Sequence, residues 1–346
     1  MKALVLENNA HLVFHEVPPP VVPESWYLVR VVAAGICGSD LHRGFESGAY
    51  HYPLIMGHEF SGVVESAPIG GRYLRGARVA VFPLLPCRNC RPCSTGDFAQ
   101  CANYDYLGSR RDGAFAELIP APEANLFAVP ENVPLTIAAM TEPCAVALHA
   151  VRKLNLQGGE TAVVFGAGPI GNVVAQWLSL RGCSQVVVVD IDAPKLELAR
   201  SMGFLAVNSK EEDPVKAISS LTGGEGAELA VEAVGLGITF RQALLASARF
   251  GQVVFLGNAS DDLVLSPVDM TGILRKELTI RGTWNSKVAP QGNNDWTTVL
   301  ECMKNTLNLA PLISHNPPLS EGGEVFSRMY GKKESFQKVL FRVTEE

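Results

Sequence analysis

The sequence is sparing with charge. Lys, Arg, Asp and Glu together make up 18% of its 346 residues, against roughly 25% in an average soluble domain. No long run of Lys or Arg occurs, and the formal net charge is −6. Nucleic acid and anionic membrane surfaces are therefore not the expected partners. No uninterrupted apolar run reaches the roughly 18 residues that suggest a membrane span. The first residues, Met1 to Asn9, enter strand-like alternation directly and carry no signal-peptide pattern. A cytoplasmic location is the expectation. Internal repeats and low-complexity segments are also missing.

Cysteine is thinly spread except in one place. Of the eight cysteines, Cys87, Cys90, Cys93 and Cys101 fall within fifteen positions, while Cys37, Cys144, Cys183 and Cys302 are scattered. That distribution is not a disulfide framework and points to metal. What the chain does have is apolar residues, at 47%, and 32 glycines. This is the composition of a folded protein with many tight turns. Its length exceeds one comfortable core, so two domains are expected.

The first 150 residues read as mostly β, with short apolar runs at 3–6, 27–33 and 61–65 bounded by Pro and Gly. A helix over 145–154 leads into a different pattern. Strands at 161–165, 185–190, 205–208, 228–234, 251–256 and 278–282 alternate with helices at 170–180, 195–202 and 239–248. Buried strands alternating with helices imply an α/β unit with a doubly wound parallel sheet. From about Val288 the alternation stops, an amphipathic helix covers 295–304, and a strand closes the chain at 339–343. The expected division is therefore a mainly β domain from 1–150 and 288–346, and a nucleotide-binding domain from 151–287.

Gly166-Ala167-Gly168-Pro169-Ile170-Gly171 fits the G-x-G-x-x-G pattern. The sextet follows one expected strand and opens a helix, and the next strand ends in Asp190, 19 residues after Gly171. This context suits a dinucleotide whose pyrophosphate rests at a helix N-terminus. Asp190 would hydrogen-bond the adenosine ribose and repel a 2′-phosphate, which favours NAD over NADP.

Cys87, Cys90, Cys93 and Cys101 can wrap one tetrahedral Zn²⁺ and leave no position open, which is the pattern of a structural site. An iron–sulfur cluster is the competing reading, but the rest of the chain implies hydride chemistry. Cys37 and His58 supply two further ligand types, with Glu59 beside His58 and Glu142-Pro143 near the expected domain junction. A catalytic zinc needs about three protein ligands and one open position. Cys37, His58 and one glutamate would satisfy that.

Residues 35–40, Gly57-His58-Glu59, the cysteine lobe and the glycine sextet resemble, in order and separation, the zinc-containing medium-chain alcohol dehydrogenase family. The resemblance covers essentially the whole chain. It implies a partly open, GroES-like β-barrel domain, a Rossmann domain, and an active site in the cleft between them. Glu142 stands where many family members have a cysteine, which is similar to the sorbitol-dehydrogenase-like polyol branch. On that resemblance Cys37, His58 and Glu59 hold the catalytic zinc, and Glu142 binds it directly or through water. Cys144 is read as a small buried residue at a helix start. The implied proton path runs from Ser39 through the cofactor ribose to His42, and Asp40 orients His58. Homodimers or homotetramers are implied.

Residues 83–87, 104–113, 273–279 and 282–284 resemble, more narrowly, family members that act on a hexitol phosphate. The implied reaction is oxidation of galactitol 1-phosphate to tagatose 6-phosphate with NAD. A free polyol or a sugar acid is the alternative substrate. A phosphate needs a cation, and Arg110, Arg111 and Arg43 are the candidates. A non-catalytic binding protein on the same fold would be expected to lack some of Cys37, His58 and Glu59, and all three are present.

Overall fold

The computed structural model describes residues 1–46, 48–289 and 294–346. The chain forms two compact units, Met1–Pro143 with Lys287–Glu346, and Cys144–Ser286. The first division falls inside the helix Thr141–Val151, not after residue 150 as the sequence pattern suggested. Pro143 did not delay the helix, because proline is tolerated in a first turn, where its missing N–H has no partner to lose. Residues 290–293, expected to belong to the first unit, lie outside the described residues.

The first unit is built on a curled seven-stranded sheet. Leu126–Ala128, Arg78–Val81, Glu59–Ser66, Trp26–Gly35, Lys338–Arg342 and Ile313–His315 follow one another across it, and Leu118–Pro122 pairs beside Trp26–Gly35. A three-stranded sheet of His11–Glu16, Lys2–Asn8 and Leu54–Ile55 packs with it around one apolar core. Trp26–Gly35 starts with alternating burial and ends fully buried. There it is flanked on both sides: Gly35 pairs with Glu59 and with Leu340. That register brings Cys37, His58, Glu59 and Lys338 to the same end of three adjacent strands. A Cβ on Gly35 would overlap the Glu59 carboxylate and the Lys338 side chain. Glycine is therefore required there to leave the two groups room.

Besides the one-turn helices Arg91–Ser94 and Leu135–Ala138, the sequence pattern missed Gly38–Phe45 and Gly322–Tyr330 in this unit. The last two are short and open on glycine, which carries no apolar periodicity.

The second unit is a six-stranded parallel sheet. Its order is Leu205–Asn208, Gln185–Asp190, Thr161–Phe165, Ala227–Glu232, Ser247–Phe255 and Thr279–Gly282. The chain runs outward one way from Thr161–Phe165 and then returns to its other side at Ala227–Glu232. This is the switch point at which such sheets bind ligands. Five helices lie between these strands: Pro169–Leu180, Ala193–Ser201, Pro214–Leu221, Gly237–Ala246 and Pro267–Lys276. Pro214–Leu221 and Pro267–Lys276 were not expected. Each is announced by a capping residue and a proline: Asp213 accepts from Val215 and Lys216, and Ser266 accepts from Asp269. Among the described residues no helix is long and apolar enough to cross a membrane.

Candidate active site

Helix Gly38–Phe45 begins one residue after Cys37. Asp40 sits in its first turn, fully buried, and accepts the Cys37 backbone N–H at 3.0 Å. This bond satisfies a donor that the helix start would otherwise leave unpaired, and it fixes the position of Cys37. Arg43 donates to the other Asp40 oxygen at 3.1 Å. His58 Nδ1 approaches that same oxygen to 3.4 Å, an electrostatic contact more than an aligned hydrogen bond. Burial opposes charge on both groups, but their mutual attraction prevails. The His58 pKa stands well above its ordinary value, and that of Asp40 stands below.

Ligand atoms of Cys37, His58 and Glu59 all lie within 4.8 Å of one another. The three atom types are one thiolate, one imidazole and one carboxylate, a donor set that suits zinc and leaves a position open. Glu59 is buried and in ion-pair contact with Lys338, which is equally buried and also donates to Ile36 O at 2.8 Å. Burial pulls the Lys338 pKa down, yet the charges of Glu59 and Cys37 more than offset it, so the ammonium stays charged.

Glu142 does not belong to that three-residue group. Its Oε1 accepts from the Tyr106 hydroxyl at 3.3 Å. Burial pushes the metal-free Glu142 carboxyl up to about 7, with Glu59 adding repulsion and His58 opposing. The Tyr106 ring stands 5.8 Å from that of His58. Cys144 is fully buried within the helix Thr141–Val151, and its carbonyl accepts from Trp177 Nε1 at 3.2 Å.

Sequence reasoning missed Lys338 and Tyr106. No local signal marks Lys338, because its partner is 279 positions away and is reached only through strand register. Tyr106 falls within the 104–113 stretch, where nothing in the sequence marks its role.

Ser39 is half-buried on the same helix as His42. His42 is exposed, with Nδ1 2.5 Å from Glu46 Oε2.

The three arginine candidates are not equivalent. Arg43 is committed to Asp40. Arg111 pairs with Asp105 at 2.7 Å and lies over the Trp26 ring. Arg110 has no carboxylate partner among the described residues; it donates to Tyr104 O at 2.6 Å and lies 4.0 Å over the Tyr104 ring. The glycines of this segment have a structural cause of their own: a Cβ on Gly108 or Gly113 would overlap the Gly57 backbone next to His58.

The four lobe cysteines also bring their sulfurs within 4.8 Å of one another, and Cys90 Sγ to Cys101 Sγ is 3.8 Å. Four sulfurs about 2.3 Å from one zinc would stand about 3.8 Å apart in a tetrahedron. No described cysteine is in a disulfide. Without metal, backbone N–H groups of Ala102 and Cys93 bring the Cys90 thiol down to about 6, whereas burial pushes the Cys93 thiol up to about 12.

In the second unit the glycine sextet links Thr161–Phe165 to Pro169–Leu180. Gly166 has φ +109°, and a Cβ on Gly171 would overlap Gly166 O. Gly168 differs: a Cβ there would meet no protein atom within 4 Å. The protein itself does not require glycine at 168, whereas a pyrophosphate lying against the turn does. Asp190 Oδ2 accepts from Ala167 N at 2.6 Å, and Oδ1 accepts from Ile191 and Asp192. The carboxylate is thus fixed beside the glycine turn. Asn172, fully buried, donates to Ala167 O and Gly168 O and stiffens it.

A GroES-like half-barrel carrying two zinc-type donor clusters, together with a parallel dinucleotide sheet, defines a zinc-binding dehydrogenase. The chain belongs to the zinc-type medium-chain alcohol dehydrogenase family and is an oxidoreductase. Residues 23–131 match the alcohol dehydrogenase GroES-like domain, and residues 169–305 match the zinc-binding dehydrogenase domain. Galactitol 1-phosphate 5-dehydrogenase of Escherichia coli K12 is 36% identical over 319 residues, 91% of this chain and 92% of the relative. L-threonine 3-dehydrogenase of Bacillus subtilis 168 is 34% identical over 338 residues, 95% of each chain. The crystal structure of the Escherichia coli galactitol-1-phosphate dehydrogenase matches with a TM-score of 0.93 at 33% identity, covering 99% of this chain and 100% of that one. A Sinorhizobium meliloti 1021 protein solved with NADP bound matches at 0.91 and 28% identity, covering 99% of each chain.

Proposed function

We propose that this chain oxidises a secondary hydroxyl of a hexitol phosphate with NAD, with galactitol 1-phosphate giving tagatose 6-phosphate as the leading substrate pair. The observation that carries the phosphate is Arg110, the one candidate arginine with no carboxylate partner among the described residues. The polyol reading rests on Glu142, a carboxyl coupled to His58 and Glu59 where a simple alcohol site would have a thiol. The 36% identity to the Escherichia coli galactitol 1-phosphate enzyme points the same way.

When bound, zinc supplies a Lewis acid for the substrate hydroxyl, and the nicotinamide supplies the hydride acceptor. Cys37, His58 and Glu59 would hold the catalytic ion, with Glu142 joining directly or through water, and the four lobe cysteines a second, structural ion. Asp40 keeps the His58 ring in place. Lys338 offsets the charge of Glu59. Ser39 takes the hydroxyl proton toward His42, whose exposed ring passes it to water. In the second unit Gly166, Gly168, Pro169, Ile170 and Gly171 would receive the pyrophosphate. Asp190 would receive the ribose and disfavour a 2′-phosphate.

The enzyme is proposed to work in the cytoplasm as a homodimer or homotetramer. The edge strand Thr279–Gly282, exposed along its whole length with Ile280 uncovered, supports association.

The test is NADH formation, read by absorbance, with galactitol 1-phosphate, galactitol, sorbitol, xylitol, an aldonate and L-threonine, each with NAD and NADP. Turnover of galactitol 1-phosphate with NAD is expected to lead. If it is inert while a free polyol reacts, the phosphate reading fails and the free-polyol reading replaces it.

A further inference from the structure

Arg110 is held in an unusual setting. Its guanidinium lies 4.0 Å from the Tyr104 ring centre and 5.3 Å from that of Tyr50. Only one of its five N–H donors is spent within the described residues, on Tyr104 O. Tyr50 is 71% exposed, so core packing does not explain an aromatic residue there. The main chain of Arg110 is fixed as well. Its N–H donates to Tyr106 O at 3.0 Å. His51 Nε2 stands 3.3 Å from Arg110 O, while His51 Nδ1 stands 3.1 Å from Pro53 O. The imidazole thus lies between the segment before Leu54–Ile55 and the arginine loop, and its N–H can donate to one of the two carbonyls. Tyr104 and Tyr106 are adjacent rings, 6.2 Å apart, and Tyr106 reaches both Glu142 and the ring of His58. The arginine is thus two aromatic rings away from a proposed zinc ligand, and rigid elements link the two.

We infer that Tyr50, Tyr104 and His51 are positioning residues that pre-organise Arg110 as the clamp for the phosphate of the substrate. This rests on the phosphate reading above and goes beyond it by assigning specificity to three residues that surround the arginine. A free arginine side chain loses about 2 kcal/mol of rotamer freedom when it is immobilised. Aromatic faces on the guanidinium remove part of that loss before the ligand arrives, which raises affinity without adding a contact to it. A guanidinium with unspent donors and no carboxylate partner is suited to a phosphate dianion, which takes two parallel N–H bonds.

The test compares KM for galactitol 1-phosphate and for galactitol in the zinc-loaded enzyme with saturating NAD. Arg110→Met is expected to raise KM for the phosphate about tenfold more than KM for galactitol, on the order of one lost charge-assisted contact. Tyr50→Leu should shift the same ratio severalfold, and Tyr50→Phe, which keeps the ring, should restore it. His51→Ala should shift it in the same direction as Tyr50→Leu, with kcat unchanged in ratio. Equal shifts for both substrates, or no shift, would overturn the clamp and leave the stack as a support for the loop. A wild type without preference for the phosphorylated hexitol defeats the substrate reading instead. The clamp is then judged on inorganic phosphate by calorimetry: binding lost in Arg110→Met upholds it, and binding that is absent from the wild type or kept in the variant overturns it.

Discussion

Lys338 and Glu59 form a buried ion pair whose members are 3% and 1% exposed, and Glu59 is also one of the Cys37–His58–Glu59 cluster. In the zinc-free protein, removing Lys338 leaves the Glu59 charge buried without its counter-ion, at a cost of about 3–5 kcal/mol. Lys338→Met should therefore lower the thermal midpoint markedly and weaken zinc retention at the Glu59 site. Lys338→Arg should recover most of both. Zinc content and melting curves on the purified variants check this; a Lys338→Met protein with unchanged melting and full zinc would count against the pair's role.

The Glu142 carboxyl gives a pH signature in the zinc-free protein. Its folded pKa, about 7, lies above the ordinary carboxylate value, because burial penalises the anion. For a raised pKa, the stabilising contribution is complete below the unfolded value, roughly 4.3, and is lost as pH rises through the folded one. Zinc-free wild type should lose stability between about pH 4.3 and pH 7, and Glu142→Gln should flatten that slope. Urea unfolding across the interval reads it, and an identical slope in the two proteins would sink the assignment.

The proposed preference for NAD rests on Asp190. With its carboxylate held by Ala167, Ile191 and Asp192 N–H groups, kcat/KM for NAD should exceed that for NADP by at least about tenfold, equivalent to 1.4 kcal/mol. Asp190→Ser should narrow the gap by weakening NAD and admitting NADP. A wild type that prefers NADP, the cofactor bound in the Sinorhizobium meliloti relative, would contradict this.

Much of the site could be read directly because it is written in short spacings. The four cysteines lie on one loop, and the glycine sextet lies on one turn. Spacing alone therefore placed Cys87, Cys90, Cys93 and Cys101 together, and likewise Gly166, Gly168 and Gly171. What escaped was set by distant register. Lys338 reaches Glu59 only because Leu340 and Glu59 flank Gly35 on opposite sides. Arg110 and Arg111 look alike in sequence, but a turn closed on Tyr106 O sends one to Tyr104 and the other to Asp105. The helix start at Thr141 was placed late because the pattern of apolar residues gave no weight to a proline that a first turn accepts.

The cysteine lobe should act on stability and not on chemistry. A protein carrying Cys93→Ser is expected to hold one zinc fewer and to melt at lower temperature, with the remaining soluble fraction still able to form NADH. Metal analysis beside activity per folded molecule tests this, and loss of turnover with full zinc content would contradict it.

The most direct test is the zinc content and NADH formation of Cys37→Ser beside the wild type. Two zinc ions per wild-type chain and one per variant chain are expected, with NAD binding kept and turnover abolished. A variant that keeps both ions, or that loses one and still forms NADH at the wild-type rate, would contradict the assignment of Cys37, His58 and Glu59 as the catalytic metal site.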